Sequence, residues 1–406
     1  MTEETGMLDG IRVIEHATYM AAPGAGGILS DWGADVIKIE PPGGDPIRKF
    51  FSTIGTDIEV NPVFDFDNRG KKSIHLSTST PEGQEIVKKL AAGADVFLTN
   101  VRPGGLSRAG LGFQELIALN PRLVYCSLTG YGLEGPDRDR PGFDIASFWS
   151  RSGAAHLTLP KGSDPFPIRT AFGDHVTSIS AAAGICAALL KAHRTGEGQL
   201  VEASLLRTAL FAMGSDLAIQ LYFGRIGSTK SRSEQIQPLM NFFKTGDGEW
   251  FVIVSRQGEG DWPKIARSFG IDPALIEDER FSSSKSRRRN SAELVELLDA
   301  GAAQFSTAEL AARMDKEEIA WAPVQTLAQV ASDPQAEAAG AFVDVPSDTH
   351  PEGKFRSPGG PLRFPGVDDG PKGPSPKIGE HTESVLSDLG YSDVGIDALK
   401  ANGTIF

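Results

Sequence analysis

Two cysteines in 406 residues are too few for a disulfide framework, and Cys126 and Cys186 both stand among apolar neighbours, as reduced thiols do. No Cys, His, Asp or Glu cluster has the spacing of a metal site, so no metal is expected. Positive charge is scarce: 40 Lys and Arg against 53 Asp and Glu leave a net charge of −13. That balance excludes a broad surface for nucleic acid or an anionic membrane, and a polyanionic ligand must then meet a local basic cluster. The first residues, MTEETGMLDG, lack the basic and then apolar pattern of an export signal. No uninterrupted apolar run reaches the roughly 18 residues of a membrane span. The expected compartment is the cytoplasm. Internal repeats and low-complexity tracts are also missing.

What is present describes an ordinary globular protein, 40% hydrophobic and 23% charged, with length for two or three domains. Ile11–Glu15, Asp35–Glu40, Asp95–Asn100 and Arg122–Leu128 read as strands, and another follows Lys72. Between them, Ala21–Trp32, Pro81–Ala92 and Phe113–Leu119 read as helices, the second capped by Thr80 with Pro81 at its first position. Strands alternating with helices predict an α/β fold, a Rossmann-like, doubly wound parallel sheet. Leu205–Phe223 reads as one long apolar helix and Ser228–Gln237 as a loop. A hairpin turning at Gly246-Asp247-Gly248 then leads into helices at 261–269, 291–302 and 306–314, a smaller α+β domain. The run Lys285-Ser-Arg-Arg-Arg289 reads as a solvated charge cluster. His350–Ile378, rich in Pro and Gly, is expected to be an ordered surface loop.

The early stretch Gly24-Ala-Gly26-Gly27, with Glu40 ending the next strand, imitates a dinucleotide fingerprint. Leu29 occupies the place of the third glycine and Pro23 crowds the turn, which disfavours a nucleotide-dependent oxidoreductase.

The most informative stretch is Arg169–Leu206. Gly173-Asp174 opens a small-residue helix that ends at Arg194-Thr-Gly196, with the strand Gln199–Ala203 beyond. Asp174 is placed to cap the helix, and Gly196 to end it. Val176, Ile179, Ala183, Cys186, Leu189 and Leu190 fall at helical spacing, and the other faces are mostly Ala, Gly and Ser. Small residues allow close approach of neighbouring backbone, so the helix is expected to be buried. A carboxylate at a helix N-terminus is either a cap or an ionised group available as a nucleophile, and local chemistry does not choose between them.

The Gly173-Asp174 motif, the helix of small residues and Lys191-Ala-His-Arg-Thr-Gly-Glu-Gly-Gln199 together resemble the class III coenzyme A transferases, a family that also holds the α-methylacyl-CoA racemases. Matching motifs run from Gly10 to about Leu389. The resemblance implies that Asp174 is catalytic, attacking a thioester as an already ionised carboxylate, with His175 a neighbour and no cofactor beyond the coenzyme A of the substrate. It implies coenzyme A contacts at Tyr19, Met20, Ala21, Lys72, Asn100, Arg102, Arg108 and Asp144, with phosphates met by Asn68–Lys72 and by Asn100–Gly105. It also implies an interlocked homodimer. The domains would be a large one over 1–205, a linker helix at 206–228, a small one over 229–320, and a return over 321–406. Met20 replaces a glutamine common in relatives, which suggests a more apolar acyl pocket; Pro41-Pro42 replaces an arginine often set over the adenine. The racemase branch needs a histidine directly before Asp144, and Phe143 stands there. Transfer of coenzyme A between carboxylic acids is therefore expected, with a racemase or a non-catalytic acyl-CoA-binding protein as alternatives.

Overall fold

All six predicted strands of the first domain join one parallel sheet: β1 (Arg12–His16), β2 (Asp35–Glu40), β3 (Lys72–His75), β4 (Val96–Thr99), β5 (Val124–Thr129) and β6 (Gln199–Ser204), in the order β3-β2-β1-β4-β5-β6. The computed structural model describes residues 6–56, 60–255, 259–348 and 350–406; part of the N-terminal stretch read for an export signal, residues 1–5, lies outside these. The strands are apolar on both sides because both are covered. On one side Val13, Val36, Leu98 and Cys126 pack against the helices Ala21–Asp31 and Phe172–Thr195. On the other, Ile14, Ile39, Phe97 and Tyr125 meet helix Pro81–Ala92 and the C-terminal helices Thr382–Asp388 and Asp393–Ala401. The direction of strand addition reverses between β1 and β4, so loops diverge there and open a crevice at the strands' carboxyl ends.

The chain forms two compact units, one of Met1–Ala155, Phe166–Gly224 and Glu337–Phe406, the other of His156–Pro165 and Arg225–Ala336. The second holds the antiparallel sheet β7 (Met240–Lys244), β8 (Trp250–Val254) and β9 (Ala320–Pro323), with the expected helices packed around Phe243, Phe251, Trp262 and Phe269. Ser306 caps the last of them through a reciprocal bond pair with Glu309.

Several expectations need correction. The stretch 205–223 is two helices, Leu205–Ala212 and Gly214–Phe223, meeting at Met213. The Arg run is not uniformly solvated: Arg287 is buried, donating to the Phe281 carbonyl at 2.6 Å. The loop 350–378 includes a strand, β11 (Lys354–Pro358), paired with β10 (Phe342–Pro346). By length and composition Phe172–Thr195 is apolar enough to cross a membrane. Packed against Ala21–Asp31 and the sheet, it is the core helix of the first unit.

Its buried face is the one of small residues. The inward residues are Thr177, Ser178, Ala181, Ala182, Ile185, Ala188 and Ala192, while Ile179 and Leu190 point outward. Small residues face inward because the two helices nearly touch. A Cβ on Gly24 would stand 2.6 Å from Ser178 Oγ, so this glycine of the false fingerprint serves helix contact.

Candidate active site

The loop after β1 is fixed before any substrate arrives. Lys38, Glu15 and Lys71 are fully buried and ion-paired: Lys38 Nζ lies 2.9 Å from Glu15 and 2.8 Å from Asp45, and Lys71 Nζ 2.7 Å from Glu15. Burial pulls Lys38 down, but the two carboxylates outweigh it and hold the ammonium above its ordinary value. Burial dominates at Lys71, lowering it to about 8. The same groups grip the backbone. Lys38 donates to the Ala17 carbonyl at 3.0 Å and Lys71 to that of Pro23 at 2.8 Å, while Asp45 accepts the Tyr19 N–H at 3.0 Å. Asn100, at the end of β4, holds Thr18 on both sides, accepting its N–H at 3.1 Å and donating to its carbonyl at 2.7 Å.

The other wall is the start of the central helix. Its N-cap position is Ala171, in the left-handed conformation, and Asp174 lies within the first turn. The cap is supplied from elsewhere: Asp144, opening the π-helix Asp144–Ser150, accepts the Gly173 N–H at 3.0 Å, and the Asp174 N–H also bonds to it. The expectation that Asp174 caps the helix is thereby corrected, since the first free amides already have a carboxylate. A Cβ on Gly173 would collide with Asp144 and the Phe148 ring. Among the described residues, only Tyr19, Ala171 and Glu318 are non-glycine residues with positive φ. The first two sit at this site, the kind of strain that surrounding structure must sustain.

An open cleft of about 320 Å³ lies between the two walls, at the reversal point of the sheet. Tyr19, Met20, Ala21, Asn100, Arg102 and Asp174 all line it. Burial, with the charge of nearby Asp144, pushes Asp174 up to about 7, and His175 only partly offsets this. Asp174 is therefore not the fully ionised carboxylate expected at neutral pH. Burial would lower His175, but its bond to Asp67 at 3.1 Å and the surrounding carboxylates hold it above its ordinary value. His175 lines a separate cavity with Asp67, Phe66 and Arg69.

Other expected contacts do not converge. Asp144 lies behind the helix start, engaged with its backbone. Arg108 ends the helix Pro103–Arg108 and does not line the cleft. Lys72 begins β3 at the opposite end of the sheet, 2.7 Å from Asp35. The expected phosphate cluster at Asn68–Lys72 is spent internally: Arg69 clasps buried Asp31, with Nη2 at 2.6 Å, and Lys71 is held by Glu15. Met20 is almost wholly buried with Ile47, Phe64 and Ala171, so its part in an acyl pocket is small. Sequence reasoning missed Arg138 and Arg140, which line the cleft with Phe143. Their signal was the alternating Asp-Arg-Asp-Arg just before Pro141-Gly142. Among the described residues no three side chains of metal-binding type converge.

The arrangement offers a partly buried carboxylate at a helix start, faced by an aromatic pair and by guanidinium groups. Comparison with known proteins gives the family of the chain. The chain matches the family model for CoA-transferase family III over residues 8–382. It is 32% identical to (R)-2-hydroxy-4-methylpentanoate CoA-transferase of Clostridioides difficile, covering 97% of this chain and 98% of that one. Identity is also 32% with the succinate–glutarate CoA-transferase of Agrobacterium fabrum, over 94% and 95%. A CaiB/BaiF family protein from Brucella suis superposes with a TM-score of 0.83 at 33% identity, covering 95% of this chain and all of that one. With a match spanning nearly its whole length, and full-length relatives that are named transferases, this chain belongs to CoA-transferase family III.

Proposed function

We propose that this enzyme moves coenzyme A from a donor acyl-CoA to an acceptor carboxylic acid through a mixed anhydride on Asp174. The observation that carries the proposal is the position of Asp174: it lines the cleft, free of capping duty, with its charge disfavoured by burial and by Asp144. A carboxylate so destabilised is a better nucleophile than one fixed by hydrogen bonds. Its oxygen attacks the thioester carbonyl, the C–S bond breaks, and the thiolate leaves with the electron pair. The thiolate then attacks the aspartyl carbonyl of the anhydride, releasing the donor acid and leaving an aspartyl thioester. The acceptor carboxylate displaces the thiolate from it, and the thiolate takes the new acyl group, restoring Asp174. Atoms and charge balance without a redox step, and coenzyme A enters as part of the substrate.

Arg102, Arg138 and Arg140 are the cations available along this cleft for coenzyme A phosphates. Phe143 supports transfer over racemisation, because a phenyl ring carries no proton to the second face of an α-carbon. We also propose that the working form is the interlocked homodimer of the family and that it acts in the cytoplasm.

The test is Asp174→Ala, assayed with a panel of acyl-CoA donors and carboxylic acids. Transfer is abolished while coenzyme A affinity stays within about tenfold, or 1.4 kcal/mol. Full activity in that variant sinks the proposal. For the assembly, analytical ultracentrifugation gives a species near twice 43.2 kDa that persists on dilution, and a concentration-dependent monomer contradicts it.

A further inference from the structure

The cleft has two chemically distinct linings. Its apolar lining includes Ala21, Leu128, Phe143 and Leu205. Ser178 Oγ donates to the backbone carbonyls of Ala21 at 2.6 Å and Asp174 at 2.9 Å, which ties the Tyr19–Ala21 segment to the helix start that carries Asp174, and both line the cleft. Phe143 lines the same cleft, and the next residue, Asp144, binds the amides of Gly173 and Asp174. The rings of Tyr19 and Phe143 meet edge to face, with centroids 5.6 Å apart and planes at 89°. They remain 42% and 57% exposed, so this pair presents uncovered aromatic surface in the cleft where the acyl group must lie.

The cationic lining is small by comparison. Three guanidinium groups, those of Arg102, Arg138 and Arg140, face the cleft. Two are already shared: Arg138 lies 3.2 Å from Asp139, and Arg140 lies 3.6 Å from Asp137. Coenzyme A brings three phosphate groups. Once these are matched, no Lys or Arg among the described residues lining the cleft is left for a second carboxylate on the acyl chain, and a buried carboxylate without a partner is costly.

We infer that this site selects the thioester of a monocarboxylic acid with a bulky apolar chain, aryl or branched alkyl, and that Phe143 with Tyr19 forms the wall that selects it. The inference rests on the thioester carbonyl docking at Asp174, as proposed above. It names specificity determinants, for which a burial difference of one methylene group gives ratios of about 10 to 200.

Binding is the readout that separates this inference from the chemistry. Asp174→Ala protein, which cannot turn over, is titrated with 3-phenylpropionyl-CoA, 3-methylbutyryl-CoA, succinyl-CoA and free coenzyme A. The two apolar thioesters bind at least about tenfold tighter than succinyl-CoA. Adding Phe143→Ala removes that preference while free coenzyme A binds as before, which also shows that the variant is folded. Phe143→Leu keeps most of the preference. Succinyl-CoA binding as tightly as the apolar thioesters overturns the inference, and so does a Phe143→Ala effect that weakens all four ligands alike. Tight, selective binding combined with full turnover in Asp174→Ala leaves the apolar wall standing and refutes the covalent mechanism instead.

Discussion

Asp144 accepts the backbone N–H of Gly173 at 3.0 Å, so the helix that carries Asp174 is capped by a residue 29 positions upstream. The cap also puts a second carboxylate next to the first, and this charge contributes to raising Asp174. The two roles can be separated. Asp144→Asn keeps an acceptor for the amide but removes the charge, so the acid limb of the activity profile moves to lower pH. Asp144→Ala loses the cap as well and costs about 1 kcal/mol of stability. Equal pH profiles for Asp144→Asn and the parent enzyme would show that the carboxylates do not interact.

Asp174 itself sets a pH dependence of known sign. Its folded value of about 7 lies above the ordinary 3.8, so the folded state holds this proton more tightly than the unfolded one. The stability it lends is present below about pH 4 and is lost as pH rises towards 7. Asp174→Asn is therefore more stable than the parent at pH 8 by roughly 1–3 kcal/mol, and the gain vanishes near pH 4. Activity runs the other way: kcat/KM rises with pH through about 7 as the nucleophile ionises. Paired denaturant titrations at pH 4 and pH 8 check the first statement, and an initial-rate profile checks the second.

These effects show what a linear reading can reach. The parallel sheet was legible because short, largely apolar strands alternate with capped helices along the chain. The resemblance singled out Asp174 and Tyr19–Ala21, and the fold brings these residues to one cleft. The cap at Asp144 was not, because it joins residues from different elements, and only the folded chain shows which amides a carboxylate meets. Burial of the central helix was legible from its Ala, Ser and Gly content, since close helix contact favours small residues, whereas which face turns inward depends on the neighbour it packs against. Basic residues at 69–72 looked like a phosphate site, yet Asp31 and Glu15, remote in sequence, hold Arg69 and Lys71.

Asn100 was expected to touch coenzyme A directly, but its amide is occupied on both sides by Thr18. Its substitution acts through the loop. Asn100→Ala leaves the Thr18 N–H and carbonyl without partners, costing about 2 kcal/mol, and raises KM for acyl-CoA as the loop loosens. Asn100→Asp keeps one bond but sets a carboxylate against the Thr18 carbonyl, so it rescues little. Thermal unfolding with steady-state kinetics tests this; a stable Asn100→Ala enzyme with unchanged KM contradicts it.

The buried charge network under the same loop is a further test. Lys38→Met leaves Glu15 with Lys71 alone and Asp45 without a cation, and breaking such a buried pair costs about 3–5 kcal/mol. The variant unfolds at markedly lower denaturant concentration. A midpoint unchanged from that of the parent means that the network does not hold the loop.

The most direct measurement of the covalent account is to intercept the acyl-enzyme and locate it. The enzyme is incubated with an acyl-CoA donor and hydroxylamine, digested, and its peptides are mapped by mass spectrometry. The account predicts a hydroxamate on Asp174 that forms only when acyl-CoA is present and is missing in Asp174→Asn. A modification on another side chain, or turnover with no capture at Asp174, would contradict it.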